Sequence, residues 1–217
     1  MRKTISICLI ALGVIIVASV VGPIGWHQLR YNLKPKLIDP TEVSGNPAVL
    51  AAGILDSQYD DFTDSSTWFP TAPTRSGVAS KVRYYNLSIP ALNVNNVSVE
   101  INGTDLKKNP IQYAGTATPG DYGNTVIFGH STLPQLYKPG DPVSIFNPLL
   151  KIKKGDEIVI NYDGITFRYV VRETTEVHPD QIEVLAQRYD KHELTLITCV
   201  PLGTYLRRFV ARAELVN

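Results

Sequence analysis

Residues 157–172 read EIVINYDGITFRYVVR and carry the strongest hairpin signal in the chain. Two runs rich in β-branched and aromatic residues, which favour strands, flank the pair Asp163-Gly164. Asp-Gly is typical of a two-residue hairpin turn, because both central positions need a positive φ. The stretch therefore predicts two antiparallel strands, over residues 157–162 and 165–172.

Short strands punctuated by turn residues continue on both sides of this hairpin, and one short helix is expected at residues 179–189. About seven or eight such strands between residues 81 and 217 predict an all-β fold, a closed or nearly closed barrel. The further predicted strands are residues 82–89, 94–101, 125–128, 193–198 and 206–215.

The composition is that of an ordinary globular chain. Its 217 residues are 44% hydrophobic and 19% charged, which excludes a wholly disordered or collagen-like protein. The net charge of +1 gives no indication of nucleic-acid binding. Two cysteines are too few for a disulfide-rich scaffold or a structural zinc site built on cysteines.

Residues 5–25 form an uncharged, mostly apolar run preceded by Arg2 and Lys3 and followed closely by Trp26. At about 1.5 Å per residue, such a run spans roughly 30 Å as a helix. We therefore predict an uncleaved membrane anchor over residues 1–29, with the N-terminus cytoplasmic and the bulk of the chain outside. A cleaved signal peptide is the alternative.

The predicted anchor defines the rest of the domain organisation. Residues 30–80 contain five prolines and polar runs, which predict a flexible membrane-proximal spacer. Residues 81–217 then form the β-barrel domain. Because Cys8 lies within the anchor, Cys199 is the only thiol outside it.

Three features of the barrel domain are candidates for chemistry. Cys199 ends a predicted strand and is either a reactive thiol or a buried passenger. His130 follows an apolar strand, although an ordinary surface histidine is the alternative. Arg207 and Arg208 lie on the strand after the cysteine, and only one of them can face it because neighbouring strand residues point to opposite sides.

Residues 194–199 read LTLITC and are followed by Arg208, a pattern that resembles the signature of sortases. Residues 115–130, which end in Gly129-His130, are similar to the stretch leading to the catalytic histidine of that family. Residues 153–158 resemble the turn before one of its central strands. The resemblance covers residues 81–217 and leaves the sortase class open.

The resemblance implies a fold, a reaction and a set of roles. Sortases are eight-stranded β-barrels, here expected with one or two short helices and an N-terminal transmembrane helix. Cys199 matches the nucleophile, His130 the general acid and base, and Arg208 the family arginine. Sortases cleave a sorting signal such as LPxTG between Thr and Gly, hold it as a thioester and pass it to an amine on a peptidoglycan precursor or a pilin.

The resemblance also suggests where a peptide binds. The segment between about Val171 and Leu194 resembles the loop that walls the family's peptide groove. We expect substrate contacts from Thr198, Val177, Ile182 and Val184. No cofactor is predicted. A calcium site is compatible with the family, but the acids of this segment fit a solvated face equally well. These acids are Glu173, Glu176, Asp180 and Glu183.

Two other functions remain open from the residues alone. The same Cys, His and Arg set serves a thiol peptidase that uses water as the acceptor. The second alternative is a non-catalytic, membrane-tethered β-barrel binding module in which Cys199 is inert. The sequence does not identify the sorting motif, the acceptor amine or the cargo.

Overall fold

Eight strands close into a β-barrel in the computed structural model, which describes residues 62–72 and 82–216. The order around the barrel is β1-β2-β3-β4-β7-β8-β6-β5. This confirms the predicted all-β, eight-stranded fold. The strands are β1 (Tyr84–Ile89), β2 (Val94–Ile101), β3 (Ile111–Gln112), β4 (Gly123–Phe128), β5 (Glu157–Tyr162), β6 (Ile165–Val177), β7 (His192–Val200) and β8 (Arg207–Leu215).

The predicted hairpin forms between β5 and β6. Asp163 and Gly164 have φ values of 48° and 77°, as the two central residues of this tight turn require. The pairing runs without a break from Tyr162 opposite Ile165 to Glu157 opposite Val170. β6 then extends beyond residue 172 to Val177, where it pairs with β8.

Two strand pairs are parallel, and one of them is central to the molecule. β4 runs parallel to β7 from Gly123 opposite His192 to Phe128 opposite Ile197. All six residues of β4 are buried, as expected for a strand that is covered on both faces. The ends of β4 and β7 therefore lie side by side at one end of the barrel.

The predicted helix over residues 179–189 is wrong in length. Only Ile182–Leu185 form a 3₁₀ turn. The side-chain amide of Asn124 donates to the carbonyls of Val184 and Ala186, at 3.2 and 3.4 Å. Because those carbonyls bind the barrel, they are not free to accept the intrahelical bonds of a longer helix.

Residues 62–72 pack on the barrel, although they belong to the stretch predicted as a flexible spacer. Trp68 is fully buried and Phe69 nearly so. We call residues 62–72 the N-terminal strap. The boundary at residue 80 stays a prediction.

The predicted anchor, residues 1–29, lies outside the described residues. Within residues 62–72 and 82–216 we find no helix with the length and apolar character needed to cross a membrane.

Candidate active site

The register of β7 and β8 decides which arginine faces Cys199. The two strands are antiparallel, with Cys199 directly opposite Arg208 and Val200 opposite Arg207. Directly opposite residues project to the same face of a sheet. Arg208 therefore shares a face with the thiol, whereas Arg207 points away from it.

His130 is brought to the same place by the parallel pair β4 and β7. The amide of Gly129 donates to the carbonyl of Ile197 at 3.1 Å, and the Thr198 hydroxyl donates to the carbonyl of Gly129 at 2.8 Å. On the other side of the histidine, the Ser131 hydroxyl donates to the carbonyl of Cys199 at 2.8 Å. His130 is thus held between two bonds to the cysteine strand.

Gly129 leaves no space for a side chain beside this histidine. A Cβ atom there would lie 2.3 Å from the Phe146 ring. The amide of Phe146 also donates to the carbonyl of His130 at 3.0 Å. The ring and the hydrogen bond together fix the chain at the point where it leaves β4.

Arg208 is completely buried and binds backbone carbonyls. Its Nε and Nη2 atoms donate to the carbonyl of Trp68 at 3.2 and 2.9 Å. Its Nη1 donates to Tyr205 at 2.9 Å and to Arg207 at 3.3 Å. The guanidinium also lies over the rings of Trp68 and Phe69, 5.4 and 5.9 Å from their centroids. These are favourable cation–π distances.

Burial has the largest effect on the pKa values of Cys199 and Arg208. It raises the pKa of the Cys199 thiol to about 11, and the nearby charge of Arg208 opposes this by a smaller amount. Burial lowers the pKa of Arg208 from its ordinary value, partly offset by Cys199. Within the described residues no carboxylate pairs with this guanidinium, so carbonyl dipoles and aromatic faces compensate its charge.

The N-terminal strap covers this site. The Trp68 ring stacks on Phe128 with centroids 5.1 Å apart and meets His130 edge-on at 6.2 Å. Trp68 and Phe69 belong to the same buried apolar cluster as Cys199. The thiol is 0% exposed and His130 is 5% exposed. As the strap lies here, a peptide has no access to the sulfur.

The residues predicted to contact substrate divide into two groups. Val177 lies directly opposite Arg208 on β6 and belongs, with Val184, to the cluster that contains Cys199, while Ile182 packs at its edge. These three therefore border the cysteine. Thr198 is fully buried, and its hydroxyl donates to the carbonyl of Gly129. Its side chain therefore helps to position the residue before His130.

The segment that carries Ile182 and Val184 is tied to the barrel through Gln187. The side-chain oxygen of Gln187 accepts from the amides of Asn124 and Ala117, at 3.0 and 3.2 Å. Its amide nitrogen donates to the carbonyl of Asn124 at 2.9 Å. This side chain therefore sets the position of one wall of the cluster.

Sequence reasoning missed the strap, Ser131 and the role of Gln187. Trp68 and Phe69 are two large apolar residues inside a polar stretch. Such a pair could have indicated that this part of the predicted spacer packs against the barrel. No local pattern marks Ser131 or Gln187, because their partners are far away in the chain.

The acids considered for calcium do not form a cluster in the structure. Glu173 pairs with Arg212 at 2.8 Å. Among residues 62–72 and 82–216, no group of three or more His, Cys, Asp or Glu side chains is placed to hold a metal ion.

Comparison with known proteins gives consistent matches to one family. The sortase domain matches residues 87–216. Sortase A of Bacillus anthracis is 30% identical over 134 residues, which are 60% of this chain and 59% of that protein. Sortase D of Bacillus subtilis (strain 168) is 24% identical over 222 residues, covering both chains fully.

The solved structures include a sortase D5 transpeptidase of Clostridium perfringens. It superposes with a TM-score of 0.54 at 25% identity and covers 64% of this chain and 82% of that one.

The raised pKa of Cys199 predicts a steep pH dependence of alkylation. Below its pKa the thiol is neutral, and only the thiolate is a strong nucleophile. In the full chain carrying Cys8→Ser, iodoacetamide should react slowly at neutral pH and about tenfold faster per pH unit. The rate should level off only near pH 11. The same chain in urea should level off near the ordinary thiol pKa of about 8.5. Identical folded and unfolded profiles would contradict the burial of the thiol.

Proposed function

The chain belongs to the sortase family of cysteine transpeptidases, and we propose that it is a membrane-anchored, extracytoplasmic member that acts through Cys199, His130 and Arg208. Its donor would be a surface protein with an LPxTG-like sorting signal. Its acceptor would be an amine on a peptidoglycan precursor or a pilin.

One observation supports these roles above the others. Cys199 and Arg208 are cross-strand partners, and His130 is bonded through its neighbours to the strand that carries the thiol. A nucleophile, a proton-transfer group and a fixed cation thus lie close together at one end of the barrel. This is the set that acyl transfer through a thioester needs.

In the first half of the proposed reaction, the Cys199 sulfur attacks the scissile carbonyl carbon as a thiolate. Negative charge develops on the carbonyl oxygen, and the Arg208 guanidinium stabilises it. The C–N bond then breaks, and the imidazolium of His130 gives its proton to the leaving amine. The product is a thioester on Cys199 and a released C-terminal fragment.

In the second half, the acceptor amine attacks the thioester carbonyl and loses a proton to His130. The C–S bond breaks and the thiolate leaves, which restores the Cys199–His130 pair. A new amide bond now joins the donor to the acceptor. Water in place of the amine would give peptidase activity instead.

A trapped thioester would test the nucleophile. The full chain, in detergent, is mixed with LPxTG-like peptides and its mass is measured. We expect an adduct on Cys199 equal to the N-terminal half of the peptide, absent in Cys199→Ala. In His130→Ala it should form about 10²–10⁴-fold more slowly.

Adding an amine should convert the adduct to an amide product, which separates a transpeptidase from a thiol peptidase. An adduct that persists in Cys199→Ala would exclude the thioester at this residue.

The neighbouring arginines give a matched pair of variants. Arg208→Gln should lower kcat/KM by about 10²–10³-fold, because it removes the cation that faces the developing oxyanion. Arg207→Gln should change kcat/KM by less than about threefold, because that side chain points to the other face. The two rates are compared with a fluorogenic peptide, and equal losses would refute the assignment to Arg208.

The proposed anchor is tested in membranes of expressing cells. Residues 5–25 supply an uncharged apolar run long enough to cross the hydrocarbon core. After alkaline carbonate extraction, the full chain should stay in the membrane pellet, and a chain starting at residue 30 should not. Release of both into the supernatant would refute an integral anchor.

A further inference from the structure

The segment that follows β4, residues 129–132, is bonded on two sides. Its first and third residues bond to the cysteine strand β7. Its second and fourth residues, His130 and Thr132, bond instead to Phe146 and Asn147. A strand in the middle of a sheet alternates between two neighbours in the same way. His130 is therefore held from both sides.

On the side away from β7, the bonds to Thr132 come from a side chain. The Asn147 carboxamide accepts from the amide of Thr132 at 2.8 Å and donates to its carbonyl at 2.9 Å. One side chain thus makes both of the bonds that a residue of an antiparallel neighbouring strand would make. Asn147 is buried, which strengthens these bonds relative to bonds exposed to water.

Asn147 itself stands on a rigid base. Phe146 directly before it and Leu149 two residues after it are buried. The amide of Leu149 donates to the carbonyl of Phe146 at 3.0 Å, which closes the first turn of the 3₁₀ segment Asn147–Lys151. The carboxamide therefore has little freedom to follow Thr132 if the histidine segment shifts.

The proposed reaction depends on the exact place of the His130 imidazole. The ring gives a proton to the leaving nitrogen and later takes one from the acceptor amine. Both transfers need the ring within about 2.6–3.2 Å of the reacting nitrogen. A misplacement of about 1 Å can cost about 10²-fold in rate. A group that fixes the main chain beside the histidine can therefore set the rate without touching the peptide.

We propose that Asn147 is a positioning residue for the transpeptidation reaction, whose carboxamide pairs with the main chain of Thr132 and thereby holds His130 in place for proton transfer. The proposal rests on the function proposed for the chain. It gives Asn147 no contact with the peptide. Loss of the carboxamide should therefore reduce kcat and leave KM unchanged.

A second buried side chain in the connection between β4 and β5 supplies a matched control. The Ser144 hydroxyl accepts from the amide of Lys138 at 3.1 Å and donates to its carbonyl at 2.9 Å. It is also fully buried. Lys138 is eight residues from His130, whereas Thr132 is two residues from it. Removing Ser144 or Asn147 breaks the same kind of contact, but only Asn147 acts beside the histidine.

Steady-state kinetics of the full chain in detergent, with a fluorogenic LPxTG-like peptide, test the proposal. Asn147→Ala should lower kcat about 10–100-fold and change KM by less than about twofold. Ser144→Ala should change neither value by more than about twofold. Circular dichroism verifies that each variant is folded. An unchanged kcat in Asn147→Ala would overturn the proposal, and so would equal losses in the two variants, because they would show a general structural effect.

A variant of the same size covers the case in which the alanine variant is unfolded. Asn147→Asp keeps an acceptor for the amide of Thr132 but has no donor for its carbonyl once the carboxyl is ionised. We expect kcat to fall at least about tenfold with KM unchanged. A folded Asn147→Asp variant with the kcat of the unmodified chain would contradict the positioning role.

A double-mutant cycle shows whether Asn147 acts through His130. The rate of the thioester adduct on Cys199 is followed by mass in His130→Ala with and without Asn147→Ala. The two rates should agree within about twofold, because no imidazole is left to position. A further tenfold loss in the double variant would mean that Asn147 acts on another group, and the proposal would fail.

The NMR signals of the His130 imidazole separate this proposal from the proposed function. In the full chain labelled at histidine and assigned with His130→Ala, these signals should shift in Asn147→Ala and stay in place in Ser144→Ala. If they shift while no form turns over a peptide, Asn147 positions His130 but the transpeptidase assignment fails. If peptides are turned over and neither kcat nor the signals respond to Asn147→Ala, the transpeptidase assignment stands and the positioning role fails.

Discussion

The buried charge of Arg208 is the constraint from which the organisation of the site follows. A guanidinium at 0% exposure loses its hydration, and such a loss costs several kcal/mol unless other groups replace the water. Two of its carbonyl partners, Tyr205 and Arg207, lie within three residues of it in the chain, and the third, Trp68, comes from the strap. Nε and Nη2 therefore depend for their hydrogen bonds on a carbonyl from outside the barrel strands.

Strand pairing brings His130 to the cysteine strand. Because β4 and β7 are parallel and in register, the residues that follow Phe128 lie beside those that follow Ile197. The hydroxyls of Thr198 and Ser131 then bond across this seam on either side of the histidine. The rigidity that acid and base catalysis requires thus comes from main-chain carbonyls held by small buried side chains.

The barrel could be predicted from the sequence because local patterns specify most of it. The Asp163-Gly164 turn and the strand periodicity are short-range signals, and they located seven of the eight strands. β3 was missed because two residues carry no periodicity. Family resemblance selected Cys199, His130 and Arg208, and the register of β7 and β8 shows which arginine faces the thiol.

What could not be predicted arises from contacts between distant residues. The segment 179–189 has a helical pattern, but two of its carbonyls accept hydrogen bonds from the Asn124 side chain of the barrel. Its own Gln187 side chain donates to the carbonyl of Asn124. The strap has the composition of a spacer, yet its Trp68 and Phe69 are buried beside Arg208. The average composition of such a segment is polar and predicts a spacer, whereas its packing depends on its few large apolar side chains.

Access to Cys199 and its reactivity are controlled by the same side chains. Burial is the main reason that the pKa of the thiol rises to about 11, and Trp68 and Phe69 are part of the apolar cluster that buries it. Removing them from the site would expose the sulfur and also lower its pKa, while Arg208 would still favour the thiolate. As Trp68 and Phe69 lie in this structure, the thiol is therefore neutral at ordinary pH and little reactive.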